Sequence, residues 1–267
     1  GLSASISGLT IWGGDLAGYA GTPSQQVFAR AVQFAAFQPI MRSHGTSSRF
    51  PWDYGDVGIA NYQTHYWLRE NMLNKIYSTA VSSHKTGLSM TAPLSMVYPD
   101  DASLEDVYET YLFCDDFLVT PVLKENVYQY TVTFPEGNWY NLWTGEKNPG
   151  SGAQMVEAPI DKALVYLRAG SVIPMTLAPS LQLSDSMQDV QTVEGLVVTL
   201  PDGNRESTYW KDENTSVVYR SEIVNDSSFR IVAGEGNDAK AVILKGAAAM
   251  SVTVDGKKLN RLESRPT

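Results

Sequence analysis

The hydrophobic pattern of the chain changes at Gly87, and this change limits the folds that the sequence can adopt. Before Gly87, residues 23–37 and 62–81 carry apolar side chains at helical spacing, and short apolar runs precede them at 9–12 and 38–42. After Gly87 the chain consists of β-type runs separated by turn residues. Two strand–helix units cannot form a closed layer alone. The first part is therefore predicted to be the end of an α/β domain that another polypeptide completes, unless the fold is unusual.

Local signals set the expected ends of the two helices. Thr22 or Ser24 is expected to cap the first helix, because a hydroxyl oxygen can accept a bond from a free N–H of the first turn. Gly87 is expected to stop the second helix.

The β-type runs predict two β-sandwich modules joined by a polar connector at 178–189. Turns are predicted at Asp115-Asp116, at 135–138 and at 201–204. The predicted strands cover residues 117–123, 128–134, 164–167, 171–173, 195–200, 207–210, 216–219, 229–232, 241–244 and 250–254, and a loose tail is expected at 264–267.

The charge balance argues against nucleic acid and anionic membranes as partners, because 29 acidic residues outweigh 20 basic ones and give a formal charge of -9. No apolar run approaches the ~18 residues of a membrane span. The first residues also lack the Met and basic start of a signal peptide.

Cys114 is a single cysteine, so no disulfide forms within the chain, and no cluster has zinc or calcium ligand spacing. No metal and no cofactor are predicted.

The stretch IWGGDLAGY at 11–19 places Asp15 at the carboxyl end of the first predicted strand, between glycine turns. Open sheets and α/β barrels hold their chemistry at such strand ends. Trp12 and Tyr19 offer aromatic faces that suit a sugar ring or another flat apolar surface. The structural alternative is an aspartate that caps a turn, and the residues alone weigh the two about equally.

His44 follows the second predicted strand, beside Arg42, and would point toward the same rim as Asp15 if both strands belong to one barrel. A histidine near a carboxylate can bond a ligand hydroxyl or transfer a proton. A loop histidine with ordinary backbone partners is the commoner case. Arg42 could equally form a structural ion pair near Asp53 or Asp56. His65 and His84, on the second helix and at its end, are interpreted as structural or surface residues.

These residues and their order resemble glycoside hydrolase family 31, the α-glucosidase and α-xylosidase family, in its C-terminal part. The resemblance is strong over residues 1–176 and weaker in the last part, where the stretch YWKD at 209–212 fits. The motifs that carry it are IWGGDLAGY at 11–19, PIMRSHGTSSRFPW at 39–52, SMVYPDD at 95–101, FLVTPV at 117–122, FPEGNWYNLWTG at 134–145 and VYLRAGSVIP at 165–174.

The resemblance implies an α/β plus all-β fold with three parts. Residues 1–87 would form the last two β/α units of a (β/α)8 catalytic barrel, 88–177 a proximal C-terminal β-sandwich and 178–267 a distal one. The family often has an Arg in the first strand after the long helix, whereas this chain has SMTAP at 89–93, which affects a domain interface or a distant loop and not the chemistry.

The resemblance also implies the roles of the site residues. Family members are retaining enzymes with an aspartate nucleophile and an aspartate acid/base, and both would lie on a preceding polypeptide, so no catalytic residue is expected on this chain. Asp15 and His44 would bind sugar hydroxyls, Trp12 and Tyr19 would shape the pocket, and Arg42 would support it. Because Trp-Gly-Gly-Asp also matches the acid/base motif, Asp15 as the acid/base is kept as the less favoured alternative.

The predicted function is the C-terminal chain of a retaining α-glycosidase that hydrolyses terminal α-linked glucose, or xylose, residues. The expected partners are an N-terminal polypeptide with the rest of the barrel and an α-glucoside or oligosaccharide substrate. Two alternatives stay open: a transglycosylase on the same site, and a non-catalytic carbohydrate-binding fragment. The sequons at Asn214 and Asn225 would carry glycans in a secretory pathway, so a secreted location is expected, or a cytoplasmic one if the source is a bacterium.

Overall fold

The computed structural model describes residues 1–188, 190–246, 253–254 and 257–258. The predicted strand residues 250–252 and the predicted loose tail at 264–267 lie outside these ranges. Within them, no helix is both long enough and apolar enough to cross a membrane.

Both predicted helices are confirmed, and the second one is longer than its hydrophobic pattern indicated. The Oγ of Ser24 accepts a bond from the N–H of Val27 at 3.2 Å, so Ser24 caps the first of them. The second ends at Gly87, whose φ of 76° lies in the left-handed region that glycine adopts without strain. The α-helices are α1 (Leu2–Ile6), α2 (Gln25–Ala36), α3 (Gly55–Thr86) and α4 (Leu94–Val97), and 3₁₀ turns occupy Pro51–Tyr54 and Ala102–Leu104.

The described strands form three larger sheets and one short hairpin. Their order is β1-β2-β3-β6-β4-β5 in the first sheet, β12-β8-β7 in the second and β11-β10-β9 in the third, with β13-β14 as the hairpin. The strands are β1 (Thr91–Pro93), β2 (Tyr111–Phe113), β3 (Phe117–Thr120), β4 (Gln129–Asn141), β5 (Lys147–Glu157), β6 (Leu164–Arg168), β7 (Val172–Leu177), β8 (Val193–Thr199), β9 (Arg205–Trp210), β10 (Ser216–Asn225), β11 (Ser228–Ala233), β12 (Ala241–Lys245), β13 (Thr253–Val254) and β14 (Lys257–Lys258).

The predicted strands at 9–12 and 38–42 are wrong, because neither segment forms a regular strand. The two segments do run side by side in parallel: the N–H of Ile40 donates to the Trp12 carbonyl at 3.1 Å, and Asp15 and Arg42 form an isolated parallel bridge. A strand needs a continuous ladder of hydrogen bonds to its neighbours. Segment 9–12 makes isolated bonds instead, such as the one at 3.4 Å from the N–H of Met90 to the Thr10 carbonyl. Leu9 is 60% exposed and Ile11 is 49% exposed, so these two apolar side chains are not part of the core.

The predicted turn at 135–138 is wrong as well. The strand β4 continues through it, and its pairing with β5 shifts register between Phe134 and Gly137. Two residues of β4 oppose one residue of β5 at this point, which is a β-bulge. The Pro135 carbonyl accepts a bond from the Trp139 indole N–H at 3.0 Å, so the proline that suggested a turn fixes the bulge instead.

The second sheet lies between the other two and shares its faces with both. Ile173 and Val197 belong to the large core that also holds α3 and one face of the first sheet. Val172 and Val198, on the opposite face, pack against Tyr219 of the third sheet. Since β7 pairs with β8 from Val172 to Leu177, the predicted domain boundary between residues 177 and 178 falls between two paired strands. The division into domains stays a prediction.

Polar side chains of helix α3 form hydrogen bonds to α2, to the second sheet and to the third sheet. Arg69 donates to the carbonyls of Ala36, Gln38 and Pro39 at the end of α2. The buried Asn71 donates to the Thr176 carbonyl at 2.8 Å. Further along, the Ser78 hydroxyl accepts the N–H of Trp210 in β9 at 2.8 Å. A helix whose buried polar groups find partners in three different layers fixes their relative positions.

A buried carboxylate joins α3, the first sheet and the third sheet. Asp116, in the predicted turn between β2 and β3, has a side chain that is only 1% exposed. It contacts Lys75 at 2.7 Å and Arg205 at 2.9 Å, and it accepts a bond from the Ser171 hydroxyl at 2.7 Å. Burial alone would raise the pKa of Asp116, but the two cations outweigh it and lower the pKa to about 2.

Replacing Asp116 by Asn should lower the free energy of unfolding by about 3–5 kcal/mol, because Lys75 keeps a buried charge without its counterion. The comparison is equilibrium urea unfolding of the wild type and the Asp116→Asn variant. Asp115→Asn is the matched control, since Asp115 is the exposed neighbour of Asp116 and its φ of 63° suits Asn. Equal stability of the two variants would contradict the stabilising role of the Asp116 contacts with Lys75 and Arg205.

Candidate functional site

The segments 12–21 and 40–49 lie against each other and carry all five of the predicted site residues. The N–H of Leu16 donates to the Arg42 carbonyl at 3.0 Å, and the N–H of Thr46 donates to the Tyr19 carbonyl at 2.7 Å. The Ser47 hydroxyl donates to the Gly21 carbonyl at 2.6 Å. These bonds bring two loops that are 26 to 27 residues apart in sequence to one edge of the structure.

Two backbone features explain the small residues of the first segment. A Cβ at Gly13 would lie 2.4 Å from the Ile40 carbonyl oxygen, so the close approach of the two segments requires glycine there. Ala17 has a φ of 56°, an uncommon conformation for a residue other than glycine. Such local strain persists where the surroundings fix the backbone, and it is often found at functional sites.

Asp15 and Arg42 form an ion pair across the two segments. The Asp15 side chain is 16% exposed and that of Arg42 is 57% exposed, so the carboxylate lies deeper than the guanidinium. Arg42 was predicted either to support the pocket or to pair near Asp53 or Asp56, and its partner here is Asp15. The ion pair fixes the orientation of one carboxylate oxygen and leaves the remaining lone pairs of the carboxylate as acceptors.

Tyr19 and His44 form a second contact between the segments. Their ring centroids are 5.4 Å apart with an angle of 39° between the planes, and both side chains are exposed. Trp12 is placed differently: its indole N–H donates to the Ser5 hydroxyl of α1 at 2.9 Å, and its ring covers Gly1. The structure therefore brings together Asp15 with Arg42 and Tyr19 with His44, whereas Trp12 is anchored by the N-terminal helix.

Arg49 organises the site, and the sequence reasoning missed it. Its side chain is buried and donates to the carbonyls of Leu16, Gly18 and Gly21 at 2.7 to 3.1 Å. It also donates to the hydroxyl of Ser47 at 2.6 Å. An arginine among polar loop residues gives no sequence signal of burial, because charged residues are mostly exposed. Only the closed loop creates the group of carbonyls that this guanidinium satisfies.

The helices hold the second segment in place from behind. Arg69 of α3 bonds the carbonyls at the end of α2 and so positions the chain where the 40–49 segment begins. The side chain of Gln38 accepts a bond from the N–H of Gly14 at 3.0 Å. This bond joins the chain after α2 to the first segment. The site residues thus stand on loops, but the loops are tied to two packed helices.

The other histidines have the roles predicted for them. His65 is fully buried on α3, where Nδ1 bonds the Asn61 carbonyl at 2.8 Å and Nε2 accepts the N–H of Ala163 at 3.3 Å. Burial lowers the pKa of His65 to about 4, so it is a neutral structural group at ordinary pH. His84 lies exposed near the end of α3.

The geometry suits the binding of a hydroxylated ligand. A carboxylate, a guanidinium, an imidazole and a phenol lie along one edge, which offers both donors and acceptors, and the ring of Tyr19 is 55% exposed. The described part of the chain holds no group of three or more side chains that could bind a metal ion.

The chain belongs to glycoside hydrolase family 31. The family model for the glycosyl hydrolases family 31 TIM-barrel domain matches residues 1–79, and the model for the glycosyl hydrolase family 31 C-terminal domain matches residues 87–173. The chain therefore contains the end of the family's TIM-barrel domain and its C-terminal domain, and its homologues are enzymes of this family.

Curated relatives include hydrolases and a transferase. An isomaltosyltransferase of Sporosarcina globispora is 32% identical over 70% of this chain and 18% of its own length. Alpha-glucosidase 2 of Bacillus thermoamyloliquefaciens is 24% identical over 98% of this chain and 35% of its own length. This chain thus spans between about a fifth and a third of the length of these relatives.

A solved structure extends the likeness over almost the whole chain. The cycloalternan-forming enzyme of Listeria monocytogenes, in complex with a pentasaccharide substrate, superposes with a TM-score of 0.87 at 29% identity. The match covers 98% of this chain and 26% of that enzyme.

Replacing Arg49 by Met should loosen both site segments, because several backbone carbonyls lose a charged donor. Hydrogen bonds to charged groups contribute about 1.5–3 kcal/mol, so amide exchange at Leu16, Gly18 and Thr46 should accelerate by roughly ten- to a hundredfold. Hydrogen-exchange mass spectrometry measures this. Arg220→Met is the control, since Arg220 makes an exposed ion pair with Glu206 far from these loops. Unchanged exchange at 15–21 would show that Arg49 does not hold the site.

Proposed function

We propose that this chain is the C-terminal part of a retaining α-glycosidase and forms part of the sugar-binding wall of its active site. The observation that carries the proposal is the Asp15–Arg42 pair beside the Tyr19–His44 pair, at the carboxyl ends of two parallel segments. Carbohydrate-active α/β barrels place their chemistry at this end, and the chain belongs to a family of glycosidases and transferases.

The proposal includes the last two β/α units of a (β/α)8 barrel within residues 1–87. Two parallel segments, each followed by a helix, support this arrangement. The apolar side chains of Leu9, Ile11 and Ile40 are 60%, 49% and 47% exposed, which is the surface that further barrel strands would cover. The N-terminal polypeptide would supply these strands, together with the nucleophile and the acid/base.

The residues of this chain would act on the substrate by binding and orientation. Asp15 would accept hydrogen bonds from two sugar hydroxyls, with the ion pair to Arg42 holding the carboxylate in place. His44 would bond a further hydroxyl, and the exposed ring of Tyr19 would pack on the apolar face of the sugar. Contacts that strengthen as the ring flattens toward the oxocarbenium-like transition state raise the rate of reaction, not only the affinity.

The preferred substrates are α-glucosides, with α-xylosides as the second class. Xylose is glucose without its hydroxymethyl group, so a pocket for one accepts the other unless a side chain fills or requires that space. Transfer to an acceptor sugar is the alternative reaction. The similarity to an isomaltosyltransferase supports this alternative. Transfer and hydrolysis differ in whether an acceptor sugar or water reaches the glycosyl intermediate. A non-catalytic carbohydrate-binding role is the third alternative.

A secreted location is also a proposal. Asn214 and Asn225 are both exposed, Asn214 in the connection between β9 and β10 and Asn225 at the end of β10, so a glycan on either would point into solvent. The cytoplasm of a bacterium remains the alternative location.

In the assembled enzyme, Asp15→Asn should reduce kcat/KM for α-glucosides by about a hundredfold, because two charge-assisted bonds to the transition state are weakened. The loss should be similar for a p-nitrophenyl glucoside and for a disaccharide. A lost acid/base would spare the p-nitrophenyl substrate, whose leaving group needs little protonation. Asp226→Asn, at an exposed turn, is the control. Full activity of Asp15→Asn would exclude Asp15 from the site, and a loss confined to the disaccharide would make it the acid/base.

Intact mass spectrometry of the native sample, beside a denatured run, should reveal a second, N-terminal polypeptide. Without it, the chain should self-associate through its exposed apolar barrel edge in size-exclusion chromatography. A monomeric chain with no partner would count against the barrel arrangement and would favour the carbohydrate-binding alternative.

A further inference from the structure

A polar cavity lies apart from the two site segments, where α3 meets the second and third sheets. Its volume is about 250 Å³, and its polar lining comes from Asn74, Glu194, Tyr209, Lys211, Tyr219 and Asp238. These residues belong to α3, to β8, to β9 and β10, and to the loops that follow β9 and β11. None of them lies in segments 12–21 or 40–49, so the cavity is separate from the candidate active site.

The floor of the cavity is a carboxylate held in a fixed orientation. Glu194 accepts a bond from the amide of Asn74 at 3.1 Å and another from the Thr176 hydroxyl at 3.3 Å. Each bond occupies one oxygen, and a carboxylate has about four acceptor positions. Glu194 thus keeps acceptor capacity toward the cavity.

Two tyrosines supply hydroxyls and ring faces. The Tyr219 hydroxyl donates to the Asn237 side chain at 3.0 Å, which leaves its oxygen as an acceptor. The Tyr209 hydroxyl makes no hydrogen bond within the described part of the chain, although the residue is half-buried. Burial and the charges of Glu194 and Asp238 raise the pKa of Tyr209, and burial and neighbouring groups raise that of Tyr219 to about 12. Both phenols stay protonated, so Tyr209 is a free donor.

The rim carries both signs of charge. Lys211 and Asp238 form an ion pair whose side chains are 29% and 67% exposed. The cavity therefore presents donors and acceptors close together, two aromatic side chains and a net charge near minus one. Two carboxylates disfavour an anion, and Lys211 disfavours a cation. A neutral ligand with adjacent hydroxyls matches this lining, because each hydroxyl can donate to one group and accept from another.

We propose that this cavity is an auxiliary binding site for one ring of a neutral oligosaccharide. Its volume is just below the ~300–1,000 Å³ of pockets for drug-sized ligands, which fits a single sugar unit. The choice of α-glucans as ligands rests on the proposed function, whereas the carbohydrate class rests on the cavity itself. A second site on the enzyme would raise the local concentration of long substrates at the active site.

Isothermal titration of the 267-residue chain with isomaltotriose and with maltotriose tests the proposal. We expect saturable binding with a Kd on the order of 1 mM. Tyr209→Phe removes one hydroxyl and keeps the ring, and Glu194→Gln keeps the shape and removes the charge. Each should weaken binding at least about tenfold, the loss expected for one or two hydrogen bonds to a ligand.

The controls separate this site from the candidate active site. Tyr108→Phe, at a tyrosine that is 73% exposed and far from the cavity, should bind as the wild type does. Asp15→Ala removes the carboxylate of the candidate active site, so any sugar binding that it abolishes belongs to that site and not to the cavity. Thermal melting checks that Tyr209→Phe and Glu194→Gln remain folded, and if either unfolds, the other decides.

Three results would overturn the proposal. The first is no saturable sugar binding by the wild-type chain. The second is binding that Asp15→Ala abolishes and Tyr209→Phe and Glu194→Gln leave intact, which would place the sugar at the candidate active site and support the proposed function instead. The third is binding of Ca²⁺ in a parallel titration without any binding of sugar, which would assign the cavity to a cation.

Discussion

The structure depends on the partners that the buried polar side chains of α3 require. Within the described chain, Asn61, His65, Asn71, Lys75 and Ser78 are all nearly inaccessible to water, and an unsatisfied buried polar group costs about 1–3 kcal/mol. Their partners lie on α2, on strands of the second and third sheets, in the turn between β2 and β3 of the first sheet, and on the loop before β6. The layers must therefore assemble around α3 in one arrangement. The Lys75–Asp116–Arg205 cluster joins α3, the turn between β2 and β3, and β9 at a single carboxylate.

The same arrangement supports the candidate active site. Arg69 ties the end of α2 and the start of the 40–49 segment to α3. Arg49 then closes the loops by bonding carbonyls of both segments. Asp15, Arg42, Tyr19 and His44 stand on these loops, so their positions derive from the buried guanidinium of Arg49 and the half-buried one of Arg69. Such a support is what a binding site needs, because loops alone do not hold side chains within fractions of an ångström.

The two proposals give the chain two separate sites. One is the candidate active site on segments 12–21 and 40–49, and the other is the polar cavity beside α3. The exposed apolar side chains beside the first are consistent with a partner polypeptide that completes a barrel. The second is lined by residues of this chain alone, from α3, from the second and third sheets and from the loops after β9 and β11. Separate sites of this kind would allow a polymeric substrate to be held at one point while its end reacts at another.

The sequence by itself determined the two long helices, most strands and the family, because these depend on local periodicity, on caps such as Ser24 and Gly87, and on motifs that are contiguous in the chain. It predicted that Asp15 and His44 belong to one edge, which the paired segments show. Only the tertiary structure decided that 9–12 and 38–42 are not regular strands, that Pro135 forms a bulge, and that Arg49, Asp116 and Tyr209 matter. Each of these outcomes depends on partners distant in sequence: a missing neighbour strand, the register of β5, a group of loop carbonyls, two buried cations and a cavity between layers. Local patterns carry no information about such partners until the chain has folded.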